Sequence, residues 1–345
     1  MPPSTYPAEP APPDLPLAEL AGCARPAPRY AALRDAGVHH RDGVYLVARP
    51  DDVDAALVAP ELAVIPPGRP DVSAAGRLRA RMARFSDGPD HARRRSLARA
   101  LLPDPDRAAR AAAAETVARV GDRGGPVDVM PVARTVPVAV LAAALGVDPT
   151  EIDRVVMLTG RLCDAFAPVP RPTVSPAEAD AAAEGLRELL RPAVGSAQER
   201  LAAAAGLLFQ ARDATAALIG SALLADDSPA EPDRRIETVL RRQAPVQSTR
   251  RWARADLLLG GALVPRGAEV WLLLAAAETP GRSTGPATFG GGPHACPGRT
   301  LAAALARGVV GAVLDRGFRP VPGQPVAYEA RPNLRLPVRV LVARP

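Results

Sequence analysis

From about residue 105 to residue 225 the chain reads almost without a break as helix, and that run sets the class of fold. Its last segment, ERLAAAAGLLFQARDATAALIGSALLA, is apolar on most faces. Such a helix is expected to run through a core rather than lie on its surface. Before it come ARAAAAETVARVGDRG, with Gly121 near the helix end, and the apolar VARTVPVAVLAAALGV. PTEIDRVVMLTGRLCDAF, with Pro149 and Thr150 at its start, and SPAEADAAAEGLRELLRPAVG complete the run. The 40 prolines argue against long uninterrupted helices and for many short ones joined by ordered loops.

The flanks add a little β-structure. PRYAALRDAG predicts a short helix stopped by Gly37, and Asp42-Gly43 between two β-prone runs predicts a hairpin. DDVDAALV restarts a helix, residues 66–75 read as a loop, and SDGPDHARRRSLARALLP reads as a basic helix ending near Pro103. Beyond the long helix, RRIETVLRRQAPV is a helix ended by Pro245. STRRWARADLLLGGALVPRGAEVWLLLAAA predicts two or three short strands broken at Gly260-Gly261 and Arg266-Gly267. A glycine-rich loop, a final helix TLAAALARGVVGAVLDRG and a β-prone tail LRLPVRVLVA follow. The fold class expected is mainly α with a minor β-sheet region.

A chain of 345 residues, 48% hydrophobic, can bury a large core. Residues 1–20 read as a flexible Pro-rich lead and residues 21–345 as a single domain. The lead has no basic stretch followed by an apolar core, so no signal peptide is expected. No window of about 18 uninterrupted apolar residues is present, and a soluble, cytoplasmic monomer is expected. The net charge is +6, but it is spread out, and aromatic residues are only 3%. That excludes a stacking platform for nucleic acid and suits docking of an acidic protein. Cys23, Cys163 and Cys296 are odd in number and far apart, so no disulfide framework is indicated.

FGGGPHACPGRTLA, Phe289 to Ala302, sets one cysteine in a stiff loop at the mouth of a helix. Three explanations suit such a loop: a phosphate site, a turn around an inert buried cysteine, and a thiolate metal ligand. The Walker-type and dinucleotide glycine patterns are absent. Glycines let a backbone approach a flat cofactor, and helix N–H groups favour a thiolate. A haem iron held by one thiolate needs both.

Phe289, Gly290, Gly292, His294, Cys296 and Gly298 fit F-G-x-G-x-H-x-C-x-G in full. The pattern resembles the haem-binding loop of the cytochrome P450 monooxygenases, and the resemblance extends over nearly the whole chain. It implies a haem-thiolate cofactor with Cys296 on the iron. It also implies that His91 and Arg95, one turn apart in DGPDHARRRSLARALLP, together with Arg251 and His294, bind the haem propionates. Electrons would come from a ferredoxin and its reductase, and the substrate would be a small organic molecule, expected from secondary metabolism. The pocket is expected to be lined by residues 60–85, parts of 155–185 and the long helix near Leu207 to Thr215.

The sequence departs from that family in three places. The proton-delivery pattern of the long helix, A-G-x-[D/E]-T-T, is matched by QARDATAALIG. The preferred register keeps the acid as Asp213 but puts Ala214 in the threonine position, with Thr215 one residue late. One residue is about 100° around a helix, so Thr215 is no simple substitute. In the family's E-x-x-R, Arg241 is kept and Thr238 stands for the glutamate; Glu237, four residues before the arginine, can still meet it. The stretch AAAETPGRSTGPATFG is much shorter than its family counterpart. A haem-thiolate monooxygenase with an incomplete relay is the first expectation. A non-catalytic homologue that activates a partner enzyme, or a degenerate protein, is the alternative.

Overall fold

The computed structural model describes residues 17–23, 26–66, 68, 70–121, 125–167, 173–225, 231–280 and 282–345. The lead expected at residues 1–20 therefore lies outside the described residues up to residue 16. Leu17–Leu20 forms a helical turn, α1.

Local sequence rules explain most of the elements. Helix α2, Ala27–Ala36, stops at Gly37, whose φ of 69° ends the helix. Strands β1, His39–Arg41, and β2, Val44–Val47, turn through Asp42 at φ 52° and Gly43 at φ 82°. Both residues sit in the left-handed region that a two-residue hairpin demands. Helix α3 spans Pro50–Val58, strand β3 Leu62–Ala63, and α4 Ala74–Ala80, capped by the Ser73 side chain. Helix α5, Gly88–Ala100, is followed by α6, Pro105–Val120, and strand β4, Val127–Asp128. Then come α7, Met130–Ala144, α8, Ile152–Ala165, and α9, Pro176–Val194, opened by a reciprocal capping box between Ser175 and Glu178.

The longest helix, α10, spans Gln198–Leu224, and α11 spans Pro232–Arg242. The region expected to hold two or three strands holds four: β5, Thr249–Ala253; β6, Leu257–Leu259; β7, Ala262–Val264; and β8, Glu269–Leu272. Helix α12, Leu274–Ala277, and α13, Arg299–Asp315, flank the cysteine loop. Strands β9, Arg319–Pro320, and β10, Leu341–Ala343, close the chain. The two-residue strands β3, β4 and β9 are too short to show an alternating pattern, so periodicity could not reveal them.

The main sheet runs β1-β2-β8-β5-β3, with β2 parallel to β8 and the other pairs antiparallel. A second sheet orders β4-β10-β9, and β6-β7 is a hairpin. The architecture is thus mainly α with a minor β region. Helix α10 is long and apolar enough to cross a membrane, yet 67% of its most apolar window is buried inside the fold. It packs against α7, α13, α5, α11, α9 and α8, as a core helix should. Helices α13 and α6 cross so closely at Gly308 that a β-carbon there would lie 2.2 Å from the Ala109 carbonyl oxygen.

Candidate active site

A cavity of about 350 Å³ opens between α10, α5, β5, the Arg79–Phe85 segment and the loop before α13. Of the residues singled out in the sequence, His91, Arg95, Asp213, Ala214, Thr215, Arg251, Phe289, Gly290, His294, Cys296 and Gly298 line it. Gly292 does not; it backs the loop onto α3. There its φ is 60°, and a β-carbon would lie 2.7 Å from the Leu57 carbonyl oxygen, so torsion and space both require glycine.

The loop is closed on itself. The Cys296 N–H donates to the Phe289 carbonyl at 2.8 Å. Thr288 holds it from behind, accepting from the Val246 N–H at 2.9 Å and donating to the Val246 carbonyl at 3.3 Å. Burial pushes the Cys296 thiol up, while the Gly298 N–H at the start of α13, Arg84, Arg95 and Arg299 act against it. A metal cation beside the sulfur would favour the thiolate. Among the described residues no group of three or more His, Cys, Asp or Glu side chains converges on one point. A metal held here would have to bring its other ligands with it, as iron does in a porphyrin.

A ring of cationic and imidazole groups faces the same space. His91 of α5 and His294 of the loop stack with ring centroids 4.0 Å apart and 33° between planes. His294 Nε2 lies 3.5 Å from Asp87. Burial, then His91 and Arg251, push the His294 imidazole down to about 4. Arg95 donates to the Ala295 carbonyl at 2.5 Å. Arg251 is buried on β5, where its guanidinium donates to Thr249 Oγ1 at 3.1 Å and to the Arg250 carbonyl at 2.8 Å. Burial, followed by repulsion from Arg84, lowers Arg251 to about 10. Arg84 is exposed and lines the cavity. Neither Arg84 nor Arg251 has a carboxylate within ion-pair distance among the described residues. A buried guanidinium without an acid partner is costly, so Arg251, with Arg84 near it, fits a group bringing its own carboxylates.

On α10, Asp213 and Thr215 are buried. Both Asp213 oxygens are engaged: Arg212 donates at 2.7 Å and Arg331 at 2.9 Å. Arg331 also donates to Asp164 at 2.9 Å and Glu329 at 2.7 Å, and those carboxylates keep it charged despite burial. Phe85, Phe166 and Phe209 form an aromatic cluster beside this helix, with centroids 5.6 to 6.4 Å apart.

The arginine of α11 meets a different acid from the one its helix suggested. Glu237 is exposed and makes no ion pair among the described residues. Arg241 instead lies 3.8 Å from Glu278, whose side chain is 3% exposed. Glu278 Oε2 accepts from the Ala287 N–H at 2.6 Å, at the start of the turn that opens the cysteine loop. Glu278, Thr288 and Arg331 carry no local sequence signal, because each acts through partners distant in the chain, and Arg79 and Arg84 match no motif.

No protein-family model matches the chain, and no curated protein matches it in sequence. Solved structures do match. The chain superposes on epothilone B-bound cytochrome P450epoK with a TM-score of 0.80 at 20% identity, covering 96% of this chain and 100% of that one. P450BioI, solved with an acyl carrier protein ligated to hexadec-9Z-enoic acid, matches with a TM-score of 0.79 at 19% identity, over 93% and 99% of the two chains. Ligand-free CYP164A2 of Mycobacterium smegmatis matches at 25% identity with a TM-score of 0.73, over 95% and 98%. The fold is that of the cytochromes P450. This chain is P450-like along more than nine-tenths of its length.

Proposed function

We propose that the protein is a haem-thiolate monooxygenase of the cytochrome P450 kind, acting on a small organic substrate. The observation that carries this is Cys296, in the loop before α13, on a cavity that Arg84 and Arg251 also line without an ion pair among the described residues. When bound, haem supplies activation of dioxygen and transfer of one oxygen atom to substrate, the other leaving as water.

The chain's own residues have the following tasks. Cys296 holds the iron, and the Gly298 N–H holds the sulfur. Phe289, Gly290 and Gly292 shape the loop so that its backbone can lie against a flat ring. His91, Arg95, Arg251, His294 and Arg84 bind the two carboxylates. Thr215 and Asp213 are the proton-holding groups of α10 at the cavity, while Ala214 contributes no hydroxyl. An ordered water or a substrate group then bridges to Thr215.

Residues 21–345 act as one domain in this reading, a cytoplasmic monomer. The electron donor is a ferredoxin with its reductase. Exposed Arg99 and Arg299 near the cysteine loop, with the net charge of +6, support docking of an acidic partner.

A second reading, a non-catalytic P450-like activator of a partner enzyme, draws on Asp213, whose oxygens are both occupied by arginines. The test is the absorbance of the purified, reduced protein with and without carbon monoxide. A long-wavelength Soret band that disappears in Cys296→Ser is expected. No haem, or only the shorter-wavelength band of a non-thiolate complex, would overturn the reading and leave the activator ahead.

A further inference from the structure

Six arginines line the cavity: Arg79, Arg84, Arg95, Arg250, Arg251 and Arg331. On its α10 side the account closes: Arg331 is matched by Asp213, Asp164 and Glu329. Around Arg84 it does not: Arg79, Arg250 and Arg251 are its neighbours, and among these four only Arg250 has an ion pair with an acid among the described residues, Glu269 at 3.3 Å. In the haem reading the two propionates take Arg84, Arg95 and Arg251, with the two histidines. Arg79 is left over.

Arg79 is also placed differently from the others. Its guanidinium carbon lies 4.5 Å from the centroid of Phe85 and 5.6 Å from that of Phe166. The two rings belong to the aromatic cluster that reaches Phe209, on α10 one turn before Asp213. Asp71, the acid that Arg79 feels, is bound instead by the Ser73 N–H at 3.0 Å and makes no ion pair with it. Arg79 is exposed, makes no ion pair among the described residues and lies over aromatic rings at the wall of the cavity, where its guanidinium is available to a ligand. A planar fork of that kind matches a carboxylate.

We propose that the substrate is an organic carboxylate with an aromatic or otherwise apolar body, anchored by Arg79 and packed on Phe85, Phe166 and Phe209. The proposal rests on the haem reading above, which commits Arg84 and Arg251 to the cofactor.

The test compares two probes of equal shape, 4-phenylbutyrate and its neutral amide 4-phenylbutanamide, on the full-length haem-loaded protein at low salt. Dissociation constants come from the Soret shift and, independently, from equilibrium dialysis. The carboxylate is expected to bind roughly tenfold more tightly, as a charge-assisted hydrogen bond implies. Arg79→Ala should abolish that preference while leaving amide binding and haem content unchanged, and Arg79→Lys should keep part of it. Arg77→Ala, two residues away and exposed, should keep all of it. Equal binding of the two probes, or a preference that survives Arg79→Ala, would overturn the proposal. Failure of the haem reading is separate: it shows as a missing thiolate–carbonyl band before any probe is added. In that case dialysis of the same two probes still decides the anion site.

Discussion

Arg241 lies 3.8 Å from Glu278, across the gap between α11 and the segment leading into the cysteine loop. This contact replaces the within-helix pair with Glu237, and Glu278 passes it on to the Ala287 N–H at 2.6 Å. Glu278→Ala should cost about 1–3 kcal/mol, because it leaves that amide without a partner. Glu237→Ala should stay within about 0.5 kcal/mol of the parent, as exposed substitutions do. Urea unfolding of the two variants side by side checks both; equal losses would show that Glu278 is not the partner that matters.

Gly292→Ala should be destabilising by roughly 1–3 kcal/mol, since a β-carbon meets both an unfavourable φ and the Leu57 carbonyl. The same substitution at Gly261, at φ 84° but with nothing within 4 Å, should cost less. The difference between the two melting curves isolates the contribution of space from that of torsion.

If, as proposed, each guanidinium binds a carboxylate of the cofactor, Arg84→Ala combined with Arg251→Ala should speed haem loss roughly tenfold or more. Transfer of haem to apomyoglobin measures the rate. An unchanged rate would remove both residues from the cofactor site.

Ala214→Thr places a hydroxyl at the position next to Asp213. If proton delivery limits the reaction, the fraction of consumed electrons recovered in product should rise. The ratio of product to reduced cofactor consumed, measured for both proteins, decides it; a constant ratio would place proton delivery elsewhere.

Acid should weaken the Glu329–Arg331 contact in a defined direction. Burial favours the neutral carboxyl of Glu329, but Arg134 and Arg331 outweigh it and hold the group below the usual carboxylate range. A depressed folded-state value means that the stabilisation is present above the unfolded value of about 4.3 and is lost as the pH falls through the folded one. Glu329→Gln should therefore be less stable than the parent at pH 7, and the gap should narrow toward pH 3. Denaturant melts of both proteins across that range measure it.

How much of this was legible in the chain follows from the range of each interaction. Helix ends could be read because their chemistry is local. Gly37 and Gly121 take positive φ, Ser175 and Glu178 cap each other three residues apart, and Asp42-Gly43 turns a hairpin. The cysteine loop was legible for the same reason: its glycines and its closing hydrogen bond lie within ten residues of one another.

The sequence by itself therefore determined the helical class, most helix ends and the cysteine loop, and it singled out His91, Arg95, Arg251 and His294, which line one cavity, but not Arg84. Only the tertiary structure decided the pairings. With 43 basic and 37 acidic residues, any arginine has many acids it could meet, and sequence spacing ranks only those within one turn. Arg241 found Glu278, Asp213 found Arg331, and Arg79 found two phenylalanines and no acid. Those outcomes depend on how helices and loops far apart in the chain pack together, because charge and burial act through space and not along the backbone.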